Sequence, residues 1–71
     1  MSHQGLSARN HLPGTIDDIR SDSIMTHVVI RVGEHQIESV ITRPSADELK
    51  LQGGDSVTAV VKATEVMISK P

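Results

Sequence analysis

Four histidines are the residues in this 71-residue chain best suited to metal or acid–base chemistry. His3, His11, His27 and His35 are spaced 8, 16 and 8 positions apart. No H-x-H or H-x-x-x-H pair occurs and there is no cysteine, so no standard zinc spacing is present. His27 and His35 are expected to approach across a hairpin at Gly33, but two ligands do not make a structural zinc site. No Ser–His–Asp arrangement follows from the spacing. Gly53-Gly54 is not a phosphate loop, because the Lys-Ser/Thr ending is missing. Arg9 and Lys62, read alone, are surface charges. Ser45, followed by Asp47 and Glu48, reads as a helix N-cap in S-x-x-E spacing. No catalytic residue and no protein–metal ligand is assigned, and the chain is not read as an enzyme.

Composition narrows the function classes. A chain this short buries only about 60% of its unfolded surface. Without cysteine it has no disulfide staple, and without Phe, Trp or Tyr its core is aliphatic. Association with further subunits is the remaining staple. Seven Lys and Arg against nine Asp and Glu give a net charge of -2, which argues against a generic polyanion binder. The missing aromatics remove the stacking platform of single-strand nucleic-acid binders. No apolar run is long enough for a membrane span and no secretory h-region is visible, so a cytoplasmic protein with no membrane or nucleic-acid partner is expected.

Patterning supplies the elements. Residues 1–6 read as a flexible leader, and residues 7–71 as one domain. His11 to Ile19 reads as a long first strand bent or bulged at Pro13-Gly14. After polar turn residues Arg20 to Ser23, Ile24 to Val32 alternates, with Ile24, Thr26, Val28, Ile30 and Val32 on one face. Gly33-Glu34 marks a hairpin into Gln36–Thr42. Arg43-Pro44 ends that strand. A short helix follows, capped by Ser45 and packed through Leu49 and Leu51, and Gly53-Gly54-Asp55 turns the chain. Ser56 to Lys62 is the fourth strand, with Val57, Ala59 and Val61 on one face, and Val66 to Ser69 is expected to be a fifth. Three strands, a short helix and two strands are the order of an all-β, five-stranded OB-like Greek-key barrel. Val29, Val40, Val60 and Met67 fall on outer faces, which suggests a second buried surface between subunits.

Several segments together resemble the molbindin (Mop) family, small proteins made of one TOBE domain. They are Ser7-Ala8-Arg9-Asn10 with Leu12 and Gly14, Ile41-Thr42 with Ser45 and Leu49, and the run from Gly54-Asp55 through Val60-Val61-Lys62-Ala63-Thr64-Glu65-Val66-Met67-Ile68. The likeness covers roughly residues 6–69. It implies a molybdate-binding protein, with tungstate as a mimic, that serves molybdenum storage or homeostasis. It also implies a homohexamer, a trimer of dimers, with the anions at subunit interfaces. The site residues carried over are Ser7, Ala8 (backbone), Arg9, Thr42, Ser45, Lys62 and Ala63 (backbone). Pro44, the longer start and the acidic Asp17-Asp18 depart from the family pattern. The alternative reading is a non-catalytic TOBE-type interaction module, or a structural oligomer with an incidental anion site.

The implied donor set suits the implied ligand. Molybdate at neutral pH is a tetrahedral dianion with no proton to give, so its site needs donors only. Arg9 and Lys62 offer charge-assisted hydrogen bonds. Ser7, Thr42 and Ser45 offer hydroxyls, and the backbone offers N–H groups. Hydrogen phosphate requires an acceptor, so an all-donor site disfavours it. Two cations against a dianion also leave a near-neutral buried cluster.

Overall fold

A computed structural model describes residues 9–71. Four strands, β1 (Asn10–Ser21), β2 (Met25–Val32), β3 (His35–Thr42) and β4 (Ser56–Val61), form one antiparallel sheet in the order β3-β2-β1-β4. That spatial order is the Greek key, three hairpin-connected strands with the fourth returning beside the first. A helix, α1 (Arg43–Leu49), links β3 to β4. The all-β architecture with one helix is as expected.

The long first strand serves two neighbours. Its first half, Asn10 to Thr15, pairs with β4, and Thr15 to Ser21 pairs with β2. Gly14 permits the switch, because a Cβ there would overlap the Arg31 carbonyl oxygen and crowd the Ile30 and Val32 Cγ2 atoms at 3.0 Å. The bulge lies further on, between Ile16 and Asp18, leaving Asp17 as the extra residue. Alternation puts Ile16, Val28, Ile30 and Ala59 in the core, flanked by Leu12, Ile19, Val32, Ile37, Leu51 and Val57. Thr26 is fully buried within the same face of β2 and shares a 2.8 Å hydrogen bond with Ser21 Oγ. Ile24 departs from the expected face: it precedes β2 and is 69% exposed.

Turn chemistry agrees with the residues present. Asp22 Oδ1 accepts from the Ile24 and Met25 N–H groups at 2.8 and 2.7 Å, closing the β1–β2 turn. Gly33 has φ +60 in a two-residue hairpin between Val32 and His35, as a type II′ turn demands.

Two expectations are corrected. The helix starts earlier than Ser45. Thr42 is its N-cap, Arg43 and Pro44 open it, and Ser45 sits in the first turn. Proline costs nothing there, since the first N–H groups of a helix have no internal acceptor. Asp47 and Glu48 consequently lie beyond the first turn. The helix buries Ala46, while Leu49 is 66% exposed. The second correction concerns the fifth strand. After β4 the chain makes a 3-10 turn, Ala63–Glu65, and residues 66–71 pair with no strand of the same chain. Val66 is extended (φ -88, ψ 121), but Val66, Met67 and Ile68 are 52%, 93% and 94% exposed.

Candidate functional site

The expected anion ligands fall into two groups at opposite ends of β1. Ser7 and Ala8, with the expected leader, lie outside the described residues. Arg9, Lys62 and Ala63 form the first group. Asn10 pairs with Val61 and its Nδ2 donates to the Val61 carbonyl at 3.3 Å. Arg9 precedes Asn10 and Lys62 follows Val61, so both adjoin this last pair of the ladder. Lys62 is extended (φ -66, ψ 139), and its carbonyl accepts from Glu65 N at 2.9 Å, which turns the chain into Ala63.

These two cations differ electrostatically from most of the others. Arg20 pairs with Asp18, Arg31 with Asp17 and Arg43 with Asp47. Among the described residues, no hydrogen bond or ion pair engages the side chains of Arg9 or Lys62, and the same holds for Lys50 and Lys70. Of these four, Arg9 and Lys62 directly adjoin the same end of the β1–β4 ladder, next to the Asn10–Val61 pair. Two exposed, unneutralised cations at one strand end can take up a dianion without first breaking an ion pair.

Thr42 and Ser45 form the second group, at the β3–α1 corner. Thr42 Oγ1 accepts from Ser45 N at 3.3 Å and donates to Ser45 Oγ at 2.8 Å. The Thr42 hydroxyl proton is thus committed inside the cap. The Ser45 hydroxyl accepts that bond and keeps its own proton for an outside acceptor. Thr42 orients Ser45, and Ser45 is the donor this corner presents. The T-x-x-S spacing that sets up the arrangement was available in the sequence. It overlaps the S-x-x-E spacing that starts at Ser45.

The corner belongs to the far end of the sheet. Thr42 pairs with Met25, Arg43 N donates to the Ile24 carbonyl at 2.8 Å, and Ser21 pairs with Thr26. It therefore neighbours the end of β1, whereas Arg9 and Lys62 neighbour its start. Twelve residues of strand separate those ends, roughly 36 Å if straight at ~3.3 Å per residue. Among the described residues of one chain, the two groups of expected donors therefore belong to different ends of the sheet.

Other features do not compete for this role. Among the described residues, His27 and His35 do not gather: His27 pairs with Val40 and contacts Glu38 at 2.7 Å, while His35 pairs with Val32. The expected approach of His27 and His35 is not observed. No metal-ligand cluster occurs among the described residues. A cleft of about 320 Å³ between β3 and β4 is lined mainly by aliphatic side chains such as Ile37, Ile41, Val57 and Val61, a poor donor set for an oxyanion. Asp17 is occupied structurally: Arg31 and Gln36 donate to its Oδ2 at 2.8 Å each, and these hydrogen bonds hold its carboxyl below the ordinary range.

Sequence comparison decides the family. The profile of the TOBE domain matches residues 6–68. This chain is a TOBE-domain protein. The TOBE chain is 39% identical over 64 residues to molybdenum-pterin-binding protein 1 of Clostridium pasteurianum, covering 89% of this chain and 94% of that protein. Its fold matches the molybdate-binding protein of Sporomusa ovata with a TM-score of 0.89 at 36% identity, over 94% of this chain and all of the other. It also matches the cytoplasmic molybdate-binding protein ModG, crystallised with molybdate bound, with a TM-score of 0.78 at 35% identity. That match spans 86% of this chain and 44% of ModG. The likeness to Mop proteins in residues 6–69 is thereby borne out.

Proposed function

We propose that this TOBE protein binds molybdate, with tungstate as a mimic, between subunits of a homo-oligomer. Its relatives at 35–39% identity carry molybdenum or molybdate binding in their names. The observation that carries the reading to particular residues is the division of donors between the two ends of β1. Arg9, Lys62 and the Ala63 N–H at one end supply charge. Ser45, oriented by Thr42, supplies a hydroxyl from the other end of a neighbouring subunit. Ser7 and the Ala8 N–H extend the first group. No carboxylate belongs to either group, so the contacts favour an unprotonated dianion over hydrogen phosphate.

The role is non-catalytic: storage or buffering of molybdate in the cytoplasm, by a single domain spanning residues 7–71. A hexamer, as a trimer of dimers, is the proposed assembly. No helix among the described residues is long and apolar enough to cross a membrane. The test is calorimetric titration with molybdate, sulfate and phosphate, on the wild type and on Arg9→Ala and Lys62→Ala. Selective molybdate binding that either substitution weakens supports the site. Equal, weak binding of all three anions supports an incidental site instead.

A further inference from the structure

We propose that Asn10 is a positioning residue for the cationic group of the anion site, its side-chain amide clamping the strand ends that carry Arg9 and Lys62. The proposal rests on the molybdate reading above and adds what holds that group in place. Asn10 belongs to the Ser7-Ala8-Arg9-Asn10 segment, yet it is the one member with no part in the donor set. Asparagine is a poor strand former, and here it opens β1, half-buried. Its amide is spent across the sheet: Nδ2 donates to the Val61 carbonyl at 3.3 Å, 51 positions away in the chain. A residue that goes against local propensity and is engaged at such range marks a place where more than strand formation sets the choice.

The ladder is thin at this point. β1 pairs with β2 only from Thr15 onward, so Asn10 to Gly14 lie against β4 alone. β4 is itself an edge of the sheet. The end of the ladder is therefore a two-stranded ribbon, which is marginal by itself, and Pro13 within it has no N–H to give. Asn10 and Val61 are its last pair. Such ends open at little cost in free energy. The Asn10 amide acts there on both cations at once. The Val61 carbonyl carbon is bonded to Lys62 N, so the contact fixes the peptide plane that leads into Lys62 and Ala63. Asn10 itself follows Arg9 directly. Beyond this pair, the side chains of Arg9 and Lys62 engage no partner among the described residues that could hold them. A clamped end keeps the two cations at a fixed spacing before the anion arrives, which lowers the ordering cost of binding.

Asn10→Val separates positioning from strand stability, because valine removes the donor while favouring a strand. Asn10→Ala, which removes the donor and adds no bulk, is run beside it. Molybdate titration calorimetry and urea unfolding are carried out on the wild type, both variants, Lys62→Ala and Asn10→Val/Lys62→Ala. The clamp predicts an affinity loss of about three- to tenfold in either Asn10 variant, as the freed end spends less time in the binding arrangement. The urea midpoint of Asn10→Val should be unchanged or higher. In the Lys62→Ala background the same Asn10→Val step should change affinity by less than about twofold, because the spacing it sets no longer matters once Lys62 is gone. Wild-type affinity in both Asn10 variants, an equal loss in both backgrounds, or a loss that follows the urea midpoint in both overturns the clamp. In each of those cases, weakened binding by Lys62→Ala leaves the anion site standing. Unchanged affinity in Lys62→Ala removes the site, and the clamp with it.

Discussion

A mixing experiment tests the division of the anion site between subunits most sharply. One chain carries Arg9→Ala with Lys62→Ala, and the other carries Ser45→Asp. In the first, two hydrogen bonds to charged groups are lost, at about 1.5–3 kcal/mol each, so affinity falls by roughly two to four decades. All three side chains are exposed, and neither cation has a partner among the described residues to orphan, so folding stability should change by no more than ~0.5 kcal/mol. In the second, a carboxylate replaces the one free hydroxyl of the β3–α1 corner. Against each unit of ligand charge about 4 Å away it costs about 1 kcal/mol in water and about 4 near a protein surface. An acidic residue in the first helical turn is otherwise favourable, so α1 should persist. Each variant alone is thus a weak binder.

Unfolded together in equal amounts and refolded, the two chains should recover binding. A shared site is intact when its cationic half comes from the second chain and its hydroxyl half from the first. Random association in a symmetric assembly makes this about one site in four. Titration calorimetry should therefore return wild-type affinity with about one quarter of the wild-type stoichiometry. A stoichiometry near zero would refute the reasoning, because it would mean that both halves act within one chain.

Three further outcomes are expected. Gly14→Ala should destabilise the fold by about 1–3 kcal/mol in urea unfolding, because the added methyl meets the Arg31 backbone rather than a movable side-chain tip. Thr42→Val removes the helix cap and should cost about 0.5–2 kcal/mol. It should also weaken molybdate binding without touching the ligand, since Ser45 loses its orienting bond; unchanged affinity would remove Thr42 from the site. Acid unfolding should report Asp17 and Asp22. Hydrogen bonds from Arg31 and Gln36 to Asp17, and from Met25 and Ile24 N–H to Asp22, lower both pKa values from 3.8. A lowered folded-state pKa contributes stability above about pH 4 that is lost as pH falls through the folded value. Asp17→Asn should accordingly flatten the low-pH limb of stability against pH, and an unchanged limb would show that the carboxylate contributes nothing.

Much of this protein was legible in one dimension. Period-two alternation through Thr26, Val28 and Ile30 and through Val57, Ala59 and Val61 placed both strands and their buried faces, because side chains of a strand alternate rigidly. Gly33-Glu34 announced its hairpin, and Pro13-Gly14 a departure from regular pairing. The family likeness in residues 6–69 named the ligand class and supplied the donor residues proposed for it. Local spacing was less reliable where two motifs overlapped. Thr42-x-x-Ser45 and Ser45-x-x-Glu48 both read as caps, and only the position of Thr42 at the end of a paired strand selects the first.

The grouping of those donors belonged to the tertiary structure alone. Arg9 and Lys62 are 53 positions apart in the chain, yet the β1–β4 ladder brings both to one end, beside the Asn10–Val61 pair. Ser45 is much nearer to Lys62 in sequence, but the Greek-key path carries it to the other end of β1. The fate of Val66 to Ser69 was beyond the sequence for a related reason. Alternation makes the segment a strand candidate, but a strand needs an edge to pair with, and the edges open to it are decided by how the rest of the chain folds.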